Sequence, residues 1–272
     1  MKHRGDIMNR KIIQKTAGHR HGPITRLMSP GDIGQIIKPF IFLDYVDAPA
    51  GAGPNFGFHP HSGIATLTFP LSFDIQHETS SGQIDTVERG GIEWVVTGKG
   101  IWHRAKPLNG ETMQAFQTWF SLPPSHETSE PSAMFIQPKD VPVSGNVKIL
   151  LGSYAGKQSP IPAPFDITYL WIELKDGESF VYQPPQTHQV AWIFSQKGTL
   201  ETGGEQLIRE LAVFEDGNGE LKMTAKGNSA FLLGSAVKHN YNLVMGPYSV
   251  HTDRTALEEG FRNINAIRET IQ

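Results

Sequence analysis

Short apolar runs, broken again and again by glycine and proline, limit this chain's fold more than any other feature. Its 272 residues include 28 glycines and 19 prolines, spaced as expected for many short strands rather than for helices alternating with strands. TLTFPLSF (66–73), GIEWVVTG (91–98), MQAFQTWFSL (113–122), ITYLWIEL (167–174) and QVAWIFSQ (189–196) are rich in threonine, valine, isoleucine and aromatics and predict strands. TSSGQ, KDGE and EDGNGE between them carry turn chemistry. Only the C-terminus reads as helical: Leu257, Phe261, Ile264, Ile267 and Ile271 recur at steps of three and four after Thr252 or Asp253 as the N-cap. The pattern predicts an all-β protein closed by one C-terminal helix.

The length suits one large β domain or two modest ones. Residues 121–143, SLPPSHETSEPSAMFIQPKDVPV, are rich in proline, serine and glutamate and lie near the midpoint, so they read as a linker between two domains, 1–130 and 131–272. Two β halves of similar size suggest a duplication. In that reading DGESFVYQPPQTHQVAWIFSQKGTLE is a second copy of a glycine, histidine, strand and turn pattern, and it keeps one histidine, His188, where the first copy has a pair.

Composition removes several functions. Lysine and arginine total 24 against 27 acidic residues, a net charge of −3, which gives no general pull toward nucleic acid or an anionic membrane. With no cysteine, disulfides, iron–sulfur clusters and thiol nucleophiles are excluded, and any metal site must use histidine, carboxylate, amide or water. The N-terminal MKHRGDIMNRK precedes no apolar stretch of signal-peptide length, and no window resembles a membrane span. The expectation is a soluble cytoplasmic protein.

FGFHPHSGIAT (56–66) then draws the eye. On a strand, His59 and His61 project to one face while Pro60 points away, and Pro60, having no N–H, belongs at an edge or strand end. An isolated pair of this kind is most simply two surface histidines. VTGKGIWHRAKP changes the weighing: after the turn at Gly98 and Gly100, His103 enters on a later strand, with room for two or three short strands between it and His61. Three imidazoles suit iron, zinc, copper or nickel and leave positions open for water or substrate. GHRHG (18–22) is another such pair without a third ligand nearby and reads as surface. Trp94, Trp119, Trp171 and Trp192 read as core, and Trp102, beside His103, as a wall for an aromatic substrate.

Residues 58–107, FHPHSGIATLTFPLSFDIQHETSSGQIDTVERGGIEWVVTGKGIWHRAKP, resemble the core motif of the pirin family. The HPH, the T-x-T strand, the His-Glu pair at 77 and 78, the Glu-Trp of the next strand and the G-x-G-I-x-H follow one another in family order. FQTWFSLP, LLGSYAGKQSPI and GPYSVHTDRTALEEGFRN extend the likeness over most of the chain. The resemblance implies two cupin barrels packed together, the second without metal, and one divalent transition metal in the first, most simply Fe(II), with Zn, Ni or Cu as alternatives. It carries the metal ligands onto His59, His61 and His103. The family's fourth ligand, a glutamate, falls on Ala105, and another family glutamate on Ala65. Glu78, Glu93, Gln114 and Gln117 read as structural or solvent-facing rather than as replacements, and His77 as a solvated turn histidine or a group behind the ligands. The implied activity is that of an iron-dependent quercetin or flavonol 2,3-dioxygenase acting on a small aromatic substrate. The alternative is a non-catalytic, metal-dependent regulatory module that meets a protein partner. Neither involves direct nucleic-acid binding or a membrane.

Overall fold

The structure, a computed structural model, describes residues 10–53, 56–109 and 112–271. It is almost entirely antiparallel β structure, with one long helix at the C-terminus. The chain gathers into two compact units that interleave along the sequence: one takes the described residues up to Gly18 with Pro142–Lys238, the other His19–Val141 with the described residues from His239 onward. This differs from a contiguous division at residue 130. Residues 121–143 are not a free linker, because Ser132–Ile136 within them pairs antiparallel with Ile92–Val96 and extends its sheet. Proline and serine richness there marks the turns around that strand, and the boundary between the units falls near the segment's end, between Val141 and Pro142.

The unit bearing the histidines is built on two sheets. Seven strands run in the order Ser132–Ile136, Ile92–Val96, Ile64–Pro70, Thr112–Ser121, Phe40–Pro49, Ile24–Met28 and His19–His21. Four more run Phe56–His61, Ile101–Leu108, Asp74–Thr79 and Ile84–Val87. Ile64–Pro70 is buried at every position, as a central strand covered on both faces must be, whereas Asp74–Thr79 alternates strictly, turning Ile75, His77 and Thr79 inward. Side chains from both sheets meet in an apolar cluster of Ala48, Phe73, Ile75, Met113 and Ala115.

The helix α1 (Arg254–Arg268) packs in this same unit. Asp253 caps it, its carboxylate accepting from the Ala256 N–H at 2.9 Å. Ala256, Leu257, Gly260 and Ile264 form the buried stripe, while Phe261 and Ile267 are half-buried. The helix reaches back to the turn before His103: the Trp102 indole N–H donates to the Ile264 carbonyl at 2.7 Å. Glycine is required at 100, where φ is +138° and a Cβ would stand 2.7 Å from Cγ2 of Ile264.

In the other unit the main sheet runs Ile12–Thr16, Leu211–Phe214, Val190–Thr202, Leu221–Ala236, Ile167–Leu174, Val147–Tyr154 and Val143–Ser144. Its interior is filled by apolar side chains, among them Ile149, Leu170, Ile193, Phe231 and Leu233, each fully buried. No helix among the described residues is long and apolar enough to cross a membrane.

Candidate metal centre

Strand pairing assembles the centre. Phe56–His61 runs antiparallel to Ile101–Leu108 with His59 directly opposite His103, a position where facing side chains are neighbours. His61 lies two residues from His59 on the same face, so the three rings converge with centroids 4.5–5.1 Å apart. Their ligand nitrogens all lie within 4.8 Å of one another. On its other side the His103 strand pairs with Asp74–Thr79, and Ala105 faces His77, which sets His77 diagonally beside His103.

Each ring has its Nδ1 engaged. That of His59 donates to the Gly57 carbonyl at 2.8 Å. That of His61 donates to the Tyr248 carbonyl at 2.7 Å. Nδ1 of His103 stands 2.8 Å from Nε2 of His77, one N–H lying between them. Such contacts fix which nitrogen faces the centre, the task of the groups behind metal-binding histidines. Nε2 of both His61 and His103 is buried without a hydrogen-bond partner. A buried, unsatisfied polar atom costs about 1–3 kcal/mol. Two of them converging are what a site for a metal ion leaves behind, and the all-nitrogen donor set suits a divalent transition ion.

The rings open onto a cavity of about 590 Å³, lined by Phe42, Ala105, Gln117, Trp119 and Tyr248 among others, within the range of small-molecule sites. Phe42 and Trp119 stack at 4.0 Å with planes 9° apart, and the Arg26 guanidinium lies 4.0 Å over the outer face of Phe42. Arg26 is also paired with the Asp44 carboxylate, so this cation enters the wall already neutralised.

The Pirin family model matches residues 23–120, the stretch holding all three histidines together with His77 and Glu93. The chain carries a pirin-family domain. Over 267 residues, covering 90% of this chain and 92% of its relative, it is 26% identical to a Pseudomonas aeruginosa protein named "Putative quercetin 2,3-dioxygenase". It is 28% identical over 216 residues to a pirin-like protein of Caulobacter vibrioides, covering 74% of each. A crystal structure titled quercetin 2,3-dioxygenase from Acinetobacter baumannii superposes with a TM-score of 0.87, covering 96% of this chain and 98% of that one at 20% identity. A bacterial pirin from Escherichia coli in complex with nickel(II) gives 0.66, covering 85% and 98%, also at 20% identity. These likenesses show the fold, a pair of cupin-type barrels with a C-terminal helix.

Electrostatics hold the pirin domain's three histidines in the neutral state that binds metal. Burial, followed by the charge that His59 would carry, pushes His61 down to about 3. His103 is driven well below the ordinary histidine value by burial and by its neighbours His61, His59 and His77. His59 is lowered by burial, partly offset by its bond to Gly57.

Several readings of individual residues change. His77 is not a solvated turn histidine: it is fully buried. Glu93 does not face solvent. It is 2% exposed, lines the cavity, and its Oε1 lies 3.0 Å from His77 Nε2, the nitrogen that also meets His103. Burial opposes charge on both members of this pair, but the attraction between them prevails, so His77 is raised and Glu93 lowered. A carboxylate inside the apolar run IEWVV was itself the available signal, because burying an unpaired charge is prohibitive. Trp102 does not wall the cavity; its indole is bound to α1, and Trp119 takes that position. Ala105 does line the cavity, whereas Ala65 is fully buried between Val96 and Phe120. Glu78 is paired with Arg104, Gln114 binds Asp47 at 2.9 Å, and the GHRHG pair is exposed. In the other unit His188 is fully buried between Ser235 (2.8 Å) and Asp166 (3.0 Å). Among the described residues, both groups able to hold a metal ion lie in the pirin domain.

Proposed function

We propose that this chain is a metal-dependent dioxygenase of the quercetin 2,3-dioxygenase type, holding one divalent ion, iron first, through His59, His61 and His103. The observation that carries the reading is the convergence of three imidazoles whose Nδ1 atoms are engaged, with two buried, unpartnered Nε2 atoms, at the floor of an aromatic-walled cavity. The names of its relatives point the same way. When bound, the ion would act as a Lewis acid toward an enol or phenolate oxygen and bring O2 beside the substrate.

The chain's own residues do the rest. The Gly57 and Tyr248 carbonyls and His77 hold the three rings in a single tautomer and orientation. Trp119 and the edge of Phe42, whose faces are taken by Trp119 and Arg26, give a planar aromatic ring an apolar wall to settle against. The 590 Å³ enclosure holds the reactants together, an effect that contributes much of the rate in two-reactant chemistry. Ala105 puts no carboxylate on the cavity wall at its position, so proton acceptance from the substrate falls to other groups.

Two measurements test this. Elemental analysis of anaerobically purified protein should find near one equivalent of transition metal, lost in His61→Ala and His103→Ala. The iron-loaded protein should consume quercetin in air faster than free iron does. Full metal occupancy with no turnover of any flavonol would leave the regulatory, partner-binding alternative standing in its place.

A further inference from the structure

Three neutral imidazoles bring no negative charge to a divalent ion, yet His61 and His103 are only 1% and 2% exposed, where water cannot screen that ion's charge. Two buried carboxylates line the cavity: Asp44, already paired with Arg26, and Glu93. Its Oε1 is 3.0 Å from Nε2 of His77, and that same nitrogen is 2.8 Å from Nδ1 of His103. Glu93, His77 and His103 therefore form one continuous chain from a carboxylate to a metal-facing nitrogen. All three are buried, and each comes from a different strand: Ile92–Val96, Asp74–Thr79 and Ile101–Leu108.

We infer that Glu93 and His77 are positioning residues for the metal, working through His103: Glu93 orients the His77 ring and is the cavity-lining carboxylate whose partner is a histidine rather than an arginine. The inference rests on the three-histidine reading above. It follows from what each atom can do. A carboxylate accepts only and Nε2 of His77 carries at most one proton, so Glu93 holds the His77 ring by the same nitrogen that meets His103 rather than through a second one. His77 in turn meets the nitrogen of His103 opposite the one that faces the centre. Carboxylate–histidine pairs behind metal ligands act in this way and are worth about 10–100-fold in metal affinity; here a second imidazole is interposed. His59 lines the same cavity as Glu93, so the carboxylate stands on the side of the site where a cation would sit. A purely structural role for Glu93 would be met as well by a neutral residue of the same shape.

The experiment is a chelator-competition titration with Co(II), read by its visible absorption, on the full-length wild type, His61→Ala, Glu93→Gln, Glu93→Asp and His77→Ala. Urea unfolding of the metal-free proteins accompanies it. Expected are one Co(II) per wild-type chain, affinity about 10–100-fold weaker in Glu93→Gln with a shifted absorption band, and partial recovery in Glu93→Asp. Glu93→Gln keeping wild-type affinity and spectrum overturns the inference while leaving the metal site intact. Two Co(II) per chain, with the second lost in His77→Ala, also overturns it, since His77 and Glu93 would then be ligands themselves. No Co(II) binding by the wild type, or binding unaffected by His61→Ala, is failure of the three-histidine reading instead. Unfolding midpoints show whether a weakened variant is also less stable; loss of affinity in a variant of unchanged midpoint is the supporting result.

Discussion

His61 shows at a single residue how burial holds an imidazole neutral. Its carbonyl partner, Tyr248, has φ of +60° in the tight turn between Val244–Gly246 and Ser249–His251. Because the folded protein holds His61 at about 3 while an unfolded chain would titrate near 6.5, the unfolded state takes up more protons in the window between. The sign follows: stability conferred by neutral His61 is complete above about pH 6.5 and is lost as pH falls toward 3, by about 2 kcal/mol per buried histidine between pH 6.5 and 5. His103 and His59 are lowered as well and act in the same direction. Metal-free protein should therefore show a falling urea midpoint between pH 7.5 and 5, and His61→Phe should flatten that slope. An unchanged slope in the variant would mean that His61 is not the group responsible.

Among elements, α1 and the short hairpin before it act as a brace behind the HPH strand. Ser62, next to His61, donates to Ser249 at 2.9 Å and meets Nε2 of His251 at 2.9 Å. Glu127 ties down the following residue, accepting from the Thr252 backbone and hydroxyl at 2.6 Å each. Gly260 of α1 sits so close that a Cβ would be 2.4 Å from the Ser62 oxygen and 2.7 Å from His251 Nε2. Gly260→Ala should therefore lift the helix, destabilise by about 1–3 kcal/mol as overpacking does, and reduce metal occupancy through the shifted Tyr248 carbonyl. Asp253→Ala, which removes only the cap, should cost about 1 kcal/mol and leave the metal in place. Urea denaturation paired with elemental analysis separates the two; equal metal content in both variants would show that the brace does not reach His61.

For the whole molecule, both candidate metal-holding groups among the described residues lie in one of the two units. His188, the histidine suggested as the counterpart of the HPH pair, is enclosed by Ser235, Tyr182 and Asp166, hydrogen-bonded on both nitrogens. His188→Ala should thus lower the melting temperature, by roughly 1–3 kcal/mol of lost hydrogen bonding, with metal content and quercetin turnover unchanged; loss of metal would mean the units are coupled. Much of this was readable beforehand. Alternation and glycine–proline punctuation encode strands because side-chain period and turn conformation are local properties, and the HPH and G-x-G-I-x-H motifs are contiguous, so the three candidate ligands and the capped helix could be read directly. What lay beyond the sequence were relations between distant strands. That Glu93 and His77 meet behind His103, that Ser132–Ile136 is a strand and not a linker, that Trp119 and not Trp102 walls the cavity, and that the helix belongs with the histidines all depend on register. A shift of one residue reverses every side chain on a strand, and only the packed sheets choose that register. Local chemistry thus named the candidate ligands, while tertiary structure alone decided which groups stand behind them.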